Sequence, residues 1–301
     1  MTADPWWFDC ECPWWAKLRR AEDLIGEVAV LSSALNTSGV GWRIDREAAD
    51  ERSWTYRFHI LRPIPADLAV LVGDAIHNLR SSLDQIAYHF AERRAGELSD
   101  KQERLTEFPI KGTVDDFERW LTEKKYGLRR QDLYGTDEVR ALKCVQPFAF
   151  AEEAREHDVE DWGVSPEDEL REDPANILNA LWNVDKHRRL PRLNWVVPSM
   201  AWPHIEGVEP TSVPLYSTLT DGQVITEDVG VCARPDRMPQ FDVDLQIEDS
   251  PSWTDRSLTK VLEALLASVG GWMVPRMLHV ADGNEAPFIV RRFDIPRPTP
   301  W

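Results

Sequence analysis

The sequence predicts an α+β fold: a mainly helical bundle core with an antiparallel β-hairpin or sheet, followed by a β-rich C-terminal region. Three observations carry this. Apolar residues recur at helical spacing over Trp14–Leu35, Val70–Ala91 and Pro174–Arg188. Before the central stretch the period changes to two: Trp54, Tyr56, Phe58 and Ile60 alternate with Thr55, Arg57, His59 and Leu61, as in a half-buried strand. After Pro191, short runs at Leu193–Val197, Gln223–Val229 and Phe241–Glu248 read as strands separated by many Pro and Gly.

Taken in order, Met1–Glu11 is expected to be a loose tail. Pro13 suits a first helical turn, and Asn36, Ser38 and Gly39 end that helix. Trp42 and Ile44 supply an antiparallel partner for the 54–61 strand through a charged turn at Asp45–Arg52. Pro63 and Pro65 stop the second strand, and Asp67 is placed to cap the central helix. Arg93–Glu107 is a charged, mobile connector and Phe108–Ile110 an extended piece. Thr113 opens a short helix, Val114–Leu121, with acids in its first turn. Gly127–Gly135 is a basic polar loop, and Thr136 starts a helix running to Val145 before Pro147. Ala151–Asp173 is an acidic connector, and Asp173-Pro174 is an N-cap and N1 pair. Near the C-terminus a helix is expected over Trp253–Val269, broken by Gly270-Gly271, with a short piece at Trp272–His279. A basic, Pro-rich tail follows from Arg291. The expected organisation is a helical core over 1–190 with the hairpin at 40–61 inserted. Residues 191–301 form a β-rich region and a helix packed on the same core, its sheet continuing the hairpin.

Composition removes several classes. A net charge of −17 over 301 residues opposes extended DNA binding. The four Cys show no paired zinc spacing and read as reduced thiols of a cytoplasmic protein. The first residues lack a basic segment with an apolar core, and no apolar run approaches the ~20 residues of a membrane span, so no membrane association is expected. No Gly-rich phosphate loop, GxSxG or HExxH is present, so neither a nucleotide cofactor nor a zinc-protease metal site is expected.

The central stretch, VLVGDAIHNLRSSLDQIAYHFA, concentrates chemistry. At about 100° per residue, Val72, Ala75, Ile76, Leu79, Leu83, Ile86, Ala87 and Phe90 form one apolar face. Beside it runs a stripe of Asp74, His77, Arg80, Ser81, Asp84 and Tyr88, with Asn78, Ser82, Gln85 and His89 in a third row. A solvated face is usually rich in Lys and Glu, yet neither occurs between Gly73 and Ala91. The second polar concentration is Asn183-Val184-Asp185-Lys186-His187-Arg188. The candidate catalytic residues are therefore His77, Asn78, Arg80, Asp84, His89, Asp185 and His187.

The run GDAIHNLRSSLDQIAYHF resembles the hallmark of a bacterial protein family whose core reads roughly GDAxHNLRSxLDHxA. The segments Phe108–Ile110 (FPI), Val145–Phe148 (VQPF) and Leu181–Arg188 (LWNVDKHR) match the same pattern in order, so the resemblance covers about residues 68–190. More remotely the chain is similar to HEPN-superfamily helical domains. That resemblance implies a metal-independent RNase or nucleotide-acting effector of the defence or toxin type, with RNA or a nucleotide as partner and a homodimer as the assembly. Arg80 stands at the family's Arg position, and Gln85 stands where its His is expected. Three readings stay open. In the first, Arg80 holds a phosphate, His77 or His89 moves the proton, Asn78 orients it, and Asp84 and Tyr88 support them. In the second, Asp74, His77, Asp84 and His187 hold a catalytic metal. In the third, the two polar segments are one buried network fixing helix packing in a non-enzymatic interaction module. All three require the two segments to meet.

Overall fold

The computed structural model describes residues 12–48, 53–149, 173–186, 189–201, 211–212, 214–229, 240–250, 253 and 256–285. It is an α+β structure in two compact units, each assembled from separate stretches of chain. One unit takes Met1–Asp23, Asp74–Arg188 and Leu262–Trp301; the other takes Leu24–Gly73 and Arg189–Val261. These are not the halves 1–190 and 191–301. The hairpin groups with the later strands, and the last helices group with the helical segments.

Helix α1 spans Pro13–Leu35 and α2 spans Ala66–Ala95. In α1 the buried residues Trp14, Leu18, Ala21, Leu24, Ile25 and Val28 follow the three-four spacing of one apolar stripe. In α2 all eight residues of the expected apolar face are buried. The helix begins at Ala66, so Asp67 lies inside the first turn, where it complements the helix dipole and does not cap it. At the far end Gly96 adopts φ 74°, and its N–H donates to the Glu92 carbonyl at 2.8 Å. That left-handed stop needs glycine.

In the β-containing unit, β1 (Trp42–Ala48) pairs antiparallel with β2 (Ser53–Ile60), Trp42 facing Ile60 and Ala48 facing Trp54. Strands β5 (Leu193–Ala201), β6 (Thr211–Ser212), β7 (Thr218–Leu219), β8 (Val224–Val229) and β9 (Gln240–Ile247) complete two sheets, β1-β2-β8-β6 and β7-β5-β9. Because β8 adds to β2, the later β region continues the hairpin's sheet. The β5–β9 ladder slips between Val196 and Ser199, where Pro198 has no N–H to donate. Tyr56 and Phe58, two residues apart on one face of β2, meet Phe241 at 5.7 Å and Trp195 at 6.3 Å. Phe241 lies on β9 and Trp195 on β5, so these rings join the two sheets.

The helical unit adds α3 (Asp100–Glu103), α4 (Val114–Thr122), α5 (Thr136–Lys143) and α6 (Pro174–Lys186). It also contains a small hairpin, β3 (Lys124–Lys125) and β4 (Leu128–Arg129), followed by a 3-10 turn at Arg130–Asp132. The expected caps hold at two sites: Thr113 Oγ1 accepts from the Asp116 N–H at 3.1 Å, and Asp173 Oδ1 accepts from the Ala175 N–H at 2.7 Å.

Several expectations are corrected. The connector 93–107 contains the last turn of α2 and α3. The basic loop 127–135 contains β4 and the 3-10 turn, and α5 ends at Lys143, short of Val145. The C-terminal helix α7 starts at Leu258 and runs to Ser268, and Gly270-Gly271 does not break it. A π-helical turn, Val269–Met273, carries the chain directly into α8 (Val274–Ala281), which packs on α5. Burial of Val269, Trp272 and Met273 outweighs the roughly 1 kcal/mol helix cost of each glycine. As a result Leu258–Ala281 reaches the length and apolarity of a membrane span, which the sequence reading denied to the chain. Its Leu258, Leu262, Leu265 and Met277 are buried within the protein, as in a core helix. Cys12 is disulfide-bonded, so the reading of every Cys as a reduced thiol fails there. The expected tail 1–11, most of the acidic connector and the tail from 291 lie outside the described residues.

Candidate functional site

Arg80 is the centre of the arrangement. It sits in the middle of α2 with only 2% of its surface exposed, one step from the apolar face. Its Nη2 donates to the Phe108 carbonyl at 2.6 Å and lies 3.2 Å from Asp84 Oδ1, one helical turn on. Glu107 Oε1 stands 4.0 Å away. The guanidinium lies over two rings, 4.9 Å from that of Trp182 and 5.6 Å from that of Phe108.

Asp84 closes the loop. Its Oδ1 accepts the Phe108 N–H at 2.9 Å, so Arg80 and Asp84 together take both backbone groups of one residue. Gln146, fully buried after α5, holds the next part of the same segment. Its Nε2 donates to the Pro109 and Leu142 carbonyls at 3.0 and 2.8 Å, and its Oε1 accepts from the Lys111 N–H at 2.9 Å. An extended stretch has no ladder of its own, and here side chains from α2 and from the turn after α5 supply the missing partners.

Burial dominates the electrostatics. It pulls the Arg80 guanidinium below its usual range, although Asp84 and Glu107 push the other way. It raises the Asp84 carboxyl above the usual carboxylate value, opposed by Arg80, the Phe108 N–H and His77. Burial also pushes the Tyr134 phenol well up. Tyr134 stacks on Trp120 at 6.3 Å and feels the charges of Arg130 and Asp84. Arg130, also buried, donates from Nη1 to the Trp120 carbonyl at 3.0 Å.

The candidate residues separate. Arg80 and Asp84 are joined, and His77 is exposed but within electrostatic reach of Asp84. Asn78 spends its amide on the Asp74 carbonyl of its own helix at 2.7 Å. His89 lies nine residues from Arg80, about 180° around the helix. It packs on Trp14 at 5.0 Å, and burial there holds its pKa below the usual imidazole value. Tyr88 Oη reaches Glu103 at 3.5 Å on the surface. Trp182, the residue before the second polar segment, covers Arg80, and within that segment Lys186 Nζ lies 4.3 Å from the Trp182 ring and 3.9 Å from Glu107. His187 and the Asp185 side chain lie outside the described residues.

The site holds residues that sequence reasoning did not select: Glu107, the Phe108 backbone, Gln146 and Trp182. The motifs FPI, VQPF and LWNVDKHR contained three of them, but a motif shows no partner. Among the described residues, no group of three or more His, Cys, Asp and Glu is placed to hold a metal ion. No family model, curated protein or solved structure matches this chain.

Proposed function

We propose that this chain is a non-enzymatic binding module in which the polar motif residues act as a clamp. One observation carries the reading: Arg80 Nη2 and Asp84 Oδ1 are spent on the two backbone groups of Phe108. An arginine that acts on a phosphate must present its N–H fork to that phosphate. This one is 98% buried by its neighbours and stacked on Trp182 and Phe108. Gln85 also lacks the imidazole that moves protons near neutral pH. The clamp sets the path of residues 107–111 and seats α6, building the surface that a partner meets.

A second reading has its own support. Nε and Nη1 of Arg80 have no hydrogen-bond partner among the described residues, and His77 is exposed on the same side of α2. Those features suit the metal-independent RNase that the HEPN resemblance implies. Incubating the purified chain with mixed RNA, with and without a chelator, beside His77→Ala and Arg80→Lys separates the two. The clamp reading expects no cleavage above background in any arm, with Arg80→Lys lowering stability. Cleavage that survives the chelator and is lost in folded His77→Ala would overturn it in favour of the RNase.

A further inference from the structure

We propose that the β3–β4 hairpin is a contact surface for single-stranded nucleic acid, with its cations on phosphates and Tyr126 under a base. The inference goes beyond the clamp and uses other residues. From Lys124 to Arg130 the chain carries Lys124, Lys125, Arg129 and Arg130 and no acid, within a protein of net charge −17. Lys124, Lys125 and Arg129 are exposed and make no ion pair with any described residue, although Lys125 Nζ lies 5.6 Å from the Tyr126 ring. Lys124 faces Arg129 directly across the ladder. Like charges opposite one another weaken a strand pair, so hairpin stability does not explain them. A polyanion would.

The tip narrows the choice of polyanion. Tyr126 and Gly127 form the two-residue turn, both with positive φ, 56° and 85°. Gly and Asn suit such a turn, yet a tyrosine stands there with 49% of its surface exposed. Cations beside an exposed ring are the chemistry of single-strand binding, where phosphates meet Lys and Arg and a base stacks on the aromatic. An acidic peptide would use the cations and leave the ring idle. The hairpin is also anchored: Arg129 leads straight into buried Arg130, held on Trp120 by its hydrogen bond and by a ring contact at 5.1 Å. Glu123 and Asp132 flank the hairpin, so the segment 123–132 still carries four cations against two acids, and acids farther off are screened beyond roughly 8–10 Å.

The test is fluorescence anisotropy of a labelled uridine oligomer with the full chain, beside a Lys124→Glu/Lys125→Glu variant, Tyr126→Asn and a poly-glutamate competitor. Asn tolerates the left-handed turn, so Tyr126→Asn removes the ring and keeps the backbone. Three phosphate contacts give a salt slope near −2, about a 20-fold loss of affinity for a fourfold rise in salt. The double variant is expected to abolish binding. Tyr126→Asn should weaken oligomer binding about tenfold and leave binding of poly-glutamate unchanged. All these residues are exposed, and unchanged unfolding midpoints accompany the expected result. Absence of oligomer binding, or binding that both variants retain, would overturn the proposal. Binding of poly-glutamate as tight as the oligomer, with Tyr126→Asn indifferent, would replace it with an acidic protein partner. None of these outcomes bears on the clamp.

Discussion

Arg80→Met tests the clamp most directly. Methionine keeps much of the stem volume, so little of the effect comes from a cavity. The substitution removes a charge-assisted hydrogen bond to the Phe108 carbonyl, worth about 1.5–3 kcal/mol. It also leaves the Asp84 carboxylate without its cation, a loss of about 3–5 kcal/mol where both partners are buried. Asp84 keeps 32% of its side-chain surface exposed, so water recovers part of this, and about 2–4 kcal/mol of destabilisation is expected. The companion is Arg80→Met with Asp84→Asn. Burial opposes the charged form of both partners, so removing both charges should recover about 1 kcal/mol or more relative to Arg80→Met alone. The Asn oxygen still accepts the Phe108 N–H. Urea unfolding followed by Trp fluorescence gives the free energies, and hydrogen exchange at the Phe108 amide reports the segment itself. A cost under about 1 kcal/mol for Arg80→Met, or a double variant no better than the single, would refute the reasoning. The pH dependence has a definite sign. The Asp84 carboxyl is raised above 3.8, so the folded chain binds this proton more readily than the unfolded chain. Its contribution favours folding at low pH and is lost as pH rises from about 3.8 through the raised value. Asp84→Asn should remove that slope.

Three other outcomes follow. Gln146→Leu strips the buried Pro109 carbonyl and the part-buried Lys111 N–H of their partners, and about 2–4 kcal/mol of destabilisation with faster exchange of the Lys111 amide is expected. His89 has its pKa lowered by burial, so its contribution to stability is present above about 6.5 and lost as pH falls through the lowered value. An NMR titration should find its midpoint below the usual imidazole value, and His89→Phe should remove that pH dependence. Gly41→Ala would drive a Cβ into the Leu35 carbonyl oxygen, a backbone atom at the end of α1 that cannot swing aside as a side chain would. A loss of about 3 kcal/mol or more, or failure to fold, is expected by thermal unfolding.

The fold was legible where one physical rule governs. Periodicity located α1 and α2 to within a few residues, because a continuous apolar stripe must face a core. The β1–β2 alternation was as clear. It failed where tertiary contacts override local preference. Gly270-Gly271 reads as a stop, yet burial of Trp272 and Met273 carries the helix through it. The turn at Tyr126-Gly127 lacks the usual Asn or Asp, so its hairpin read as loop. At the site, periodicity does not separate a side chain beside the apolar face from one sealed into it. Arg80 and His77 lie on one stripe three residues apart, and only Arg80 is covered, by Trp182 and Phe108 from distant segments. Gln146 looked like an ordinary polar residue in a turn because two of its three partners depend on where residues 109–111 pass.

The interleaved origin of the two units has a consequence for synthesis. The helical unit needs residues from 262 onward, including α8, which packs on α5. The β-containing unit needs strands that follow residue 189 as well as the early hairpin. Neither can close while the ribosome is still making the middle of the chain. Part of α1 therefore waits, exposed: Leu18 lies against Gly270, encoded more than two hundred residues later. Folding of this kind is dominated by distant pairings and is slow, and a nascent chain in that state is the form most in need of chaperone protection.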